Sequence, residues 1–179
     1  MSAWLLISVT TAGAPAALRV HVWRKLRGLG AVYLRNSVCL LPDRDDTARQ
    51  VARLLDRVRH DGGSGRLLHV AITDAAEHDE LVAEFQAARD DEYDEVLTRL
   101  PAFFAELADE TDRGRATYAE VEENEADLTR FRTWLAAIAA RDYFAAPRGA
   151  AARAELARAE EAFAAFESAA LAAEQPPDP

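Results

Sequence analysis

The stretch PAALRVHVWRKLRGLGAVYLRNSVCLLPD, residues 15–43, decides how the amino-terminal part of the chain folds. In its first half Leu18, Val22, Leu26 and Leu29 recur at spacings of four, four and three, which lays one apolar stripe along a helix. Pro15 suits the first turn, where an N–H would have no partner, and Gly30 supplies a stop where the chain leaves helical geometry. The second half reads as two short strands, Ala31–Arg35 and Val38–Leu41, around Asn36 and Ser37, with Asn36 taking the left-handed conformation of a tight turn.

Before this stretch, Trp4-Leu5-Leu6-Ile7-Ser8-Val9 is a short apolar run with β-branched members and reads as a buried strand. Leu5, Ile7 and Val9 point one way, Trp4 and Leu6 the other, so both faces need cover. After it, Asp45, Asp46 or Thr47 caps a second helix whose Val51, Leu54, Leu55 and Val58 face inward and whose Arg49, Arg53 and Arg57 form an outer stripe. Gly62 to Gly65 reads as a flexible turn, and Leu67 to Ile72 as a fourth strand. The expected class is α+β: a ferredoxin-like βαββαβ module at residues 1–75, with both helices on one face of an antiparallel sheet. Those two helices leave the Trp4 side of the first strand bare, and from this we expect a homodimer.

From Glu77 onward the composition shifts to Ala, Glu, Asp, Leu and Arg, so residues 76–174 are expected as an acidic α-helical region. Helices are expected near Asp79–Ala88, Asp94–Asp109 with Pro101 kinking or splitting it, Tyr118–Tyr143 and Ala150–Ala173. The tail at 175–179, Gln-Pro-Pro-Asp-Pro, cannot continue a helix and is expected to be disordered. The charge is divided to match. Residues 1–73 carry eleven Lys or Arg against five Asp or Glu, and residues 74–179 carry ten against twenty-six, so a +6 half adjoins a −16 half. A basic surface for an anionic partner, and an acidic region for solubility or assembly, follow from that asymmetry.

The apolar tracts are too short to span a bilayer, and the apolar opening lacks the basic lead of a secretory signal, so neither a membrane nor export is expected. A single cysteine, Cys39, excludes an intramolecular disulfide and a multi-cysteine zinc site; a cytoplasmic location fits. In an apolar strand Cys39 reads as a small core residue and not as a nucleophile. His21, His60, His69 and His78 lie on separate elements without ligand spacing, and the run Glu120 to Asp127 reads as a solvated acidic helix face. No nucleophile, base and oxyanion-donor set is legible, and no metal or cofactor is expected.

The positions that remain are basic. Arg19, Arg24, Lys25, Arg27, Arg35, Arg49, Arg53 and Arg57 are the candidate phosphate contacts, with Arg24, Arg27 and Lys25 foremost. Some of this charge is balanced locally, since Asp45 and Asp56 can pair with Arg49 and Arg59 at helical spacing.

The segment from Leu18 to Asp43 resembles the signature stretch of the ChrB N-terminal domain family. The likeness continues more loosely through Glu122-Glu-Asn-Glu-Ala-Asp127 to Trp134 and to Ala140-Arg-Asp-Tyr-Phe144. Family members are implicated in controlling chromate-resistance genes, so the resemblance implies a regulator that binds double-stranded DNA, and no enzyme. Full-length members carry a further C-terminal domain, for which 179 residues leave no room, so a stand-alone form is expected. The alternative is an interaction subunit that binds no DNA and partners a separately encoded ChrB C-terminal domain. The helix, Gly, hairpin passage is also similar, more distantly, to small ferredoxin-like endonucleases of CRISPR systems and to the dimerisation domain of phenylacetate-responsive repressors. The former need an Asp at the end of the first strand, where this chain has Val9-Thr10-Thr11, so nuclease activity is not expected.

Overall fold

The computed structural model describes residues 3–114 and 116–174; the tail expected at 175–179 lies outside the described residues. The elements run β1 (Ala3–Thr10), α1 (Ala16–Gly28), β2 (Val32–Arg35), β3 (Val38–Pro42), α2 (Asp45–His60), β4 (Ser64–Ala71), α3 (Ala75–Asp112), α4 (Tyr118–Ala139) and α5 (Arg148–Glu174). The strands form one antiparallel sheet in the order β2-β3-β1-β4, and a helical region follows it.

The stop at Gly30 has its expected chemistry. Gly30 sits at φ +79°, its N–H bonds the Arg27 carbonyl at 2.9 Å, and the Ala31 N–H bonds the Leu26 carbonyl at 3.0 Å. This pair of bonds satisfies the last carbonyls of α1 and turns the chain into β2, at a φ that glycine adopts without a Cβ clash. The hairpin turn is different from expectation. Ala145 is the non-glycine residue with positive φ among the described residues, so Asn36 does not turn left-handed. A register irregularity between Tyr33 and Arg35 takes up the geometry instead, since a bulge bends and twists the strand locally.

The start of α2 also differs. Arg44 is its N-cap, extended at φ −129° and making no side-chain cap bond, while Asp45 and Asp46 lie inside the first turn. There they still serve the helix, because carboxylates near a helix N-terminus meet its positive end. The glycine run is no loose turn either: β4 begins at Ser64, and a Cβ on Gly65 would lie 2.6 Å from Leu55 Cδ2. Glycine is needed there because α2 packs so closely on the strand.

Two compact units result: residues up to Ala88 together with Arg141–Phe144, and Arg89–Ala140 together with the residues from Ala145 on. In the first, Leu18, Val22 and Leu26 of α1 and Val51, Leu54, Leu55 and Val58 of α2 share a core with Leu5 and Ile7. Fully burying one such aliphatic side chain contributes roughly 1.5–3 kcal/mol, so this layer fixes the helices on the sheet. The opposite side of β1 is covered within the chain. Trp4, 1% exposed, packs on Phe85 of α3 at 5.5 Å and on Phe144 at 5.6 Å between ring centroids.

The second unit buries Tyr93, Val96, Leu100, Phe103 and Leu107 of α3 against Leu128, Leu135 and Ile138 of α4 and Leu156, Phe163 and Phe166 of α5. The helices expected at Asp79–Ala88 and Asp94–Asp109 are one continuous α3, which also runs through Pro101. Residues 89–93 contain neither Gly nor Pro, and Tyr93 is buried, so nothing there ends the helix. Asp74 caps it, accepting from the Ala76 and Glu77 N–H groups at 2.8 and 3.1 Å. Among the described residues no helix is long and apolar enough to cross a membrane.

Candidate functional site

The amphipathic pattern that buries Leu18, Val22 and Leu26 leaves the polar side of α1 at the surface, and α2 lies alongside with its own polar side out. Between them run two overlapping depressions of about 440 and 260 Å³. His21, Arg24 and Lys25 line them from α1, and Gln50, Arg53 and Arg57 from α2, over a floor of Leu29 and Leu54. No carboxylate lines either one. Four fixed cations thus converge on one cleft whose polar neighbours are an imidazole and an amide, an arrangement that favours anionic oxygen.

The eight basic positions therefore fall into separate groups. Arg24, Lys25, Arg53 and Arg57 share this cleft. Arg57 also gives an Nε–H to Asp61 Oδ2 at 3.0 Å, which balances part of its charge. Arg19 and Arg35 line a second groove, of about 1020 Å³, between α1 and the β2–β3 hairpin. Arg27 belongs to neither lining: its guanidinium carbon stands 5.1 Å from the Trp23 ring centroid. Arg49 is exposed and outside both.

Arg49, Arg53 and Arg57 are all exposed on the outer side of α2, as expected, and the cleft takes Gln50 in place of Arg49. Positions 49, 53 and 57 drift around a helix at 400° per step, whereas 50, 53 and 57 average close to its period and keep one line. Gln50 and His21 were missed for want of charge, although His21 stands one helical turn before Lys25. The local pairing expected of α2 is present at Arg59, which bonds Asp56 at 2.8 Å and the Gly65 carbonyl at 3.0 Å. Asp45 and Arg49 form no ion pair among the described residues.

On the sheet, Cys39 faces the helix layer opposite Tyr33 across the β2–β3 ladder. Burial pushes the Cys39 thiol up to about 12, and burial followed by the charge of Cys39 pushes the Tyr33 hydroxyl up to about 12. The thiol is thus held in its unreactive form. Among the described residues no group of three or more His, Cys, Asp or Glu is placed to hold a metal ion.

The model of a protein family described as Protein ChrB, N-terminal, matches residues 19–176. No curated protein matches the chain. The family match begins at Arg19, within α1, and spans both the basic cleft and the acidic helices. The chain belongs to the ChrB N-terminal family, which associates it with chromate resistance.

Proposed function

From that membership we propose that the chain is a DNA-binding regulator of the chromate response, and that the cleft between α1 and α2 takes the phosphate backbone of duplex DNA. The observation that carries this is the convergence of Arg24, Lys25, Arg53 and Arg57 on one surface without a lining carboxylate. Phosphate neutralisation supplies most non-specific affinity for DNA, and it needs cations spaced along a surface more than it needs a deep pocket. The chain's net charge of −10 sums a +6 half that carries the cleft and a −16 half, and screening limits the reach of the latter's repulsion to about 8 Å at physiological salt.

We read the first unit as a ferredoxin-like module. The β1-α1-β2-β3-α2-β4 order and the β2-β3-β1-β4 sheet support that reading. In such a module the two helices lie side by side on one face, which is what lets α1 and α2 form the cleft. On this reading the chain binds and does not catalyse.

The test is the salt dependence of binding to a duplex from upstream of the chain's own gene, followed by fluorescence anisotropy. Changing Arg24, Lys25, Arg53 and Arg57 to Ala lowers the slope of log affinity against log salt by roughly 3 to 4, at about 0.9 per phosphate contact. The loss is similar on unrelated sequences, since phosphate contacts position a protein without reading bases. An unchanged affinity and slope would reject DNA binding through this cleft and favour the interaction subunit.

A further inference from the structure

Seven large hydrophobic residues are exposed among the described residues, and four of them, Val20, Trp23, Tyr33 and Leu34, line the groove between α1 and the β2–β3 hairpin. Their exposures run from 37% to 47%, so an isolated chain leaves a contiguous apolar surface in water. Such a concentration marks an interaction site, whereas scattered exposed side chains do not. Arg19 and Arg35 stand on the same groove, no carboxylate lines it, and among the described residues neither arginine forms an ion pair. Arg27 covers a Trp23 face and is absent from the lining, so the ring is braced from outside the groove. A braced tryptophan flanked by unpaired arginines is the composition of an interface hot spot.

The occupant must present an exposed apolar anchor followed by carboxylates. Three other exposed large hydrophobics are candidates: Leu68, Tyr118 and Leu171. Leu68 lies near Arg66, which carries the wrong sign. Leu171 has Glu167 and Ser168 on the preceding turn. Tyr118, 54% exposed, opens α4 and is followed by the exposed Glu122 and Glu125 at i+4 and i+7, one stripe of the helix. We propose that this groove receives the first turns of α4 from a second copy of the chain, with Tyr118 against Trp23 and Tyr33 and the two glutamates at Arg19 and Arg35. The hydroxyl and amide side chains of Thr10, Asn36 and Ser37, which also line the groove, provide partners for the Tyr118 hydroxyl. Self-association through this surface does not depend on the DNA cleft, whose four cations it leaves untouched.

Sedimentation of the full chain between 1 and ~100 µM, at low and high salt, reads the association, which screening weakens if the ion pairs contribute. Charge reversal tests it in both directions. R19E/R35E alone sediments as a monomer, and so does E122R/E125R alone; mixing the two variants restores association, because each groove then meets a helix of opposite sign. Trp23→Ala weakens association by roughly tenfold or more, the usual cost of a hot-spot aromatic. R19Q/R35Q, which removes charge without reversing it, and far-ultraviolet circular dichroism separate lost contacts from lost folding. A wild-type monomer at ~100 µM, association indifferent to either reversal, or failure of the mixture to recover would each overturn the proposal. So would quenching of Trp23 by single-stranded DNA in a chain that stays monomeric, which would make the groove a nucleotide site.

Discussion

Asn124 donates from Nδ2 to Glu110 Oε2 at 2.9 Å, and both residues are buried. The same amide bonds the Glu120 carbonyl at 2.9 Å, so one side chain ties the end of α3 to the first turns of α4. Burial raises the Glu110 carboxyl above its ordinary 4.5, and a hydrogen bond with the Glu120 side chain raises it further, while the Asn124 amide acts in the opposite direction. An acid whose folded pKa exceeds its unfolded one binds protons more tightly when folded. Its stabilisation is therefore complete below about 4.5 and is lost as pH rises through the folded value. Glu110→Gln keeps the acceptor for Asn124 and removes the buried charge. The expected outcome is a melting temperature at pH 7 that is higher than wild type by a few degrees, and equal to it near pH 4. Thermal melts across that range check it; a variant less stable at pH 7 would mean the carboxylate is the favoured form.

Asn124→Ala acts in the other direction. It leaves the Glu110 carboxyl without its amide partner in a buried setting, which costs about 1–3 kcal/mol, more than an average hydrogen bond contributes. Urea midpoints measure the loss. A change under ~0.5 kcal/mol would show that water replaces the amide.

Two glycines at the end of α1 respond with opposite signs. Gly28 is helical, and a Cβ there meets nothing within 4 Å, so Gly28→Ala stabilises by roughly 0.5–1 kcal/mol. Gly30 sits at φ +79°, so Gly30→Ala costs about 1–2 kcal/mol. Chemical denaturation of the two variants side by side gives the difference, and equal effects would remove the cap geometry as the cause.

Gly30 shows why part of the fold was legible in the sequence. A helix stop is a local demand, as is the spacing of Leu18, Val22 and Leu26, so both are visible without knowing what the helix meets. The turn at Asn36 and the cap of α2 were misread because a bulge at Tyr33 to Arg35 and an extended Arg44 solve the same problems by other local geometry. The single α3 was missed because a break was placed where polar residues hide a buried Tyr93. At the cleft, charge was legible and grouping was not. Arg24 and Arg53 lie 29 positions apart in the chain, and only the packing of α1 beside α2 brings them to one surface.

Cys39 is 1% exposed and its thiol is pushed up to about 12 by burial, so it should resist modification in the native protein. At pH 8 a disulfide reagent is expected to find no reactive thiol in the folded chain and one per chain in guanidinium. Rapid native reaction would reveal an opening of the β2–β3 hairpin that exposes the sulfur.

The grouping of cations leads to the last expectation, which sets Arg27 against its neighbours. Arg24 and Arg53 face one cleft from two helices, whereas Arg27 lies over Trp23 and outside that lining. If duplex DNA follows the cleft, R24A/R53A lowers the salt slope by about 2, at roughly 0.9 per contact, and Arg27→Ala leaves it unchanged. Arg27→Ala still has a measurable effect, because losing the cation from the Trp23 face alters the emission of an exposed indole while Trp4 stays buried. Titrations of both variants on one duplex, at four salt concentrations, separate the two behaviours. A slope that falls as far for Arg27→Ala as for R24A/R53A would place the phosphate track along α1 alone, with the cleft as a bystander.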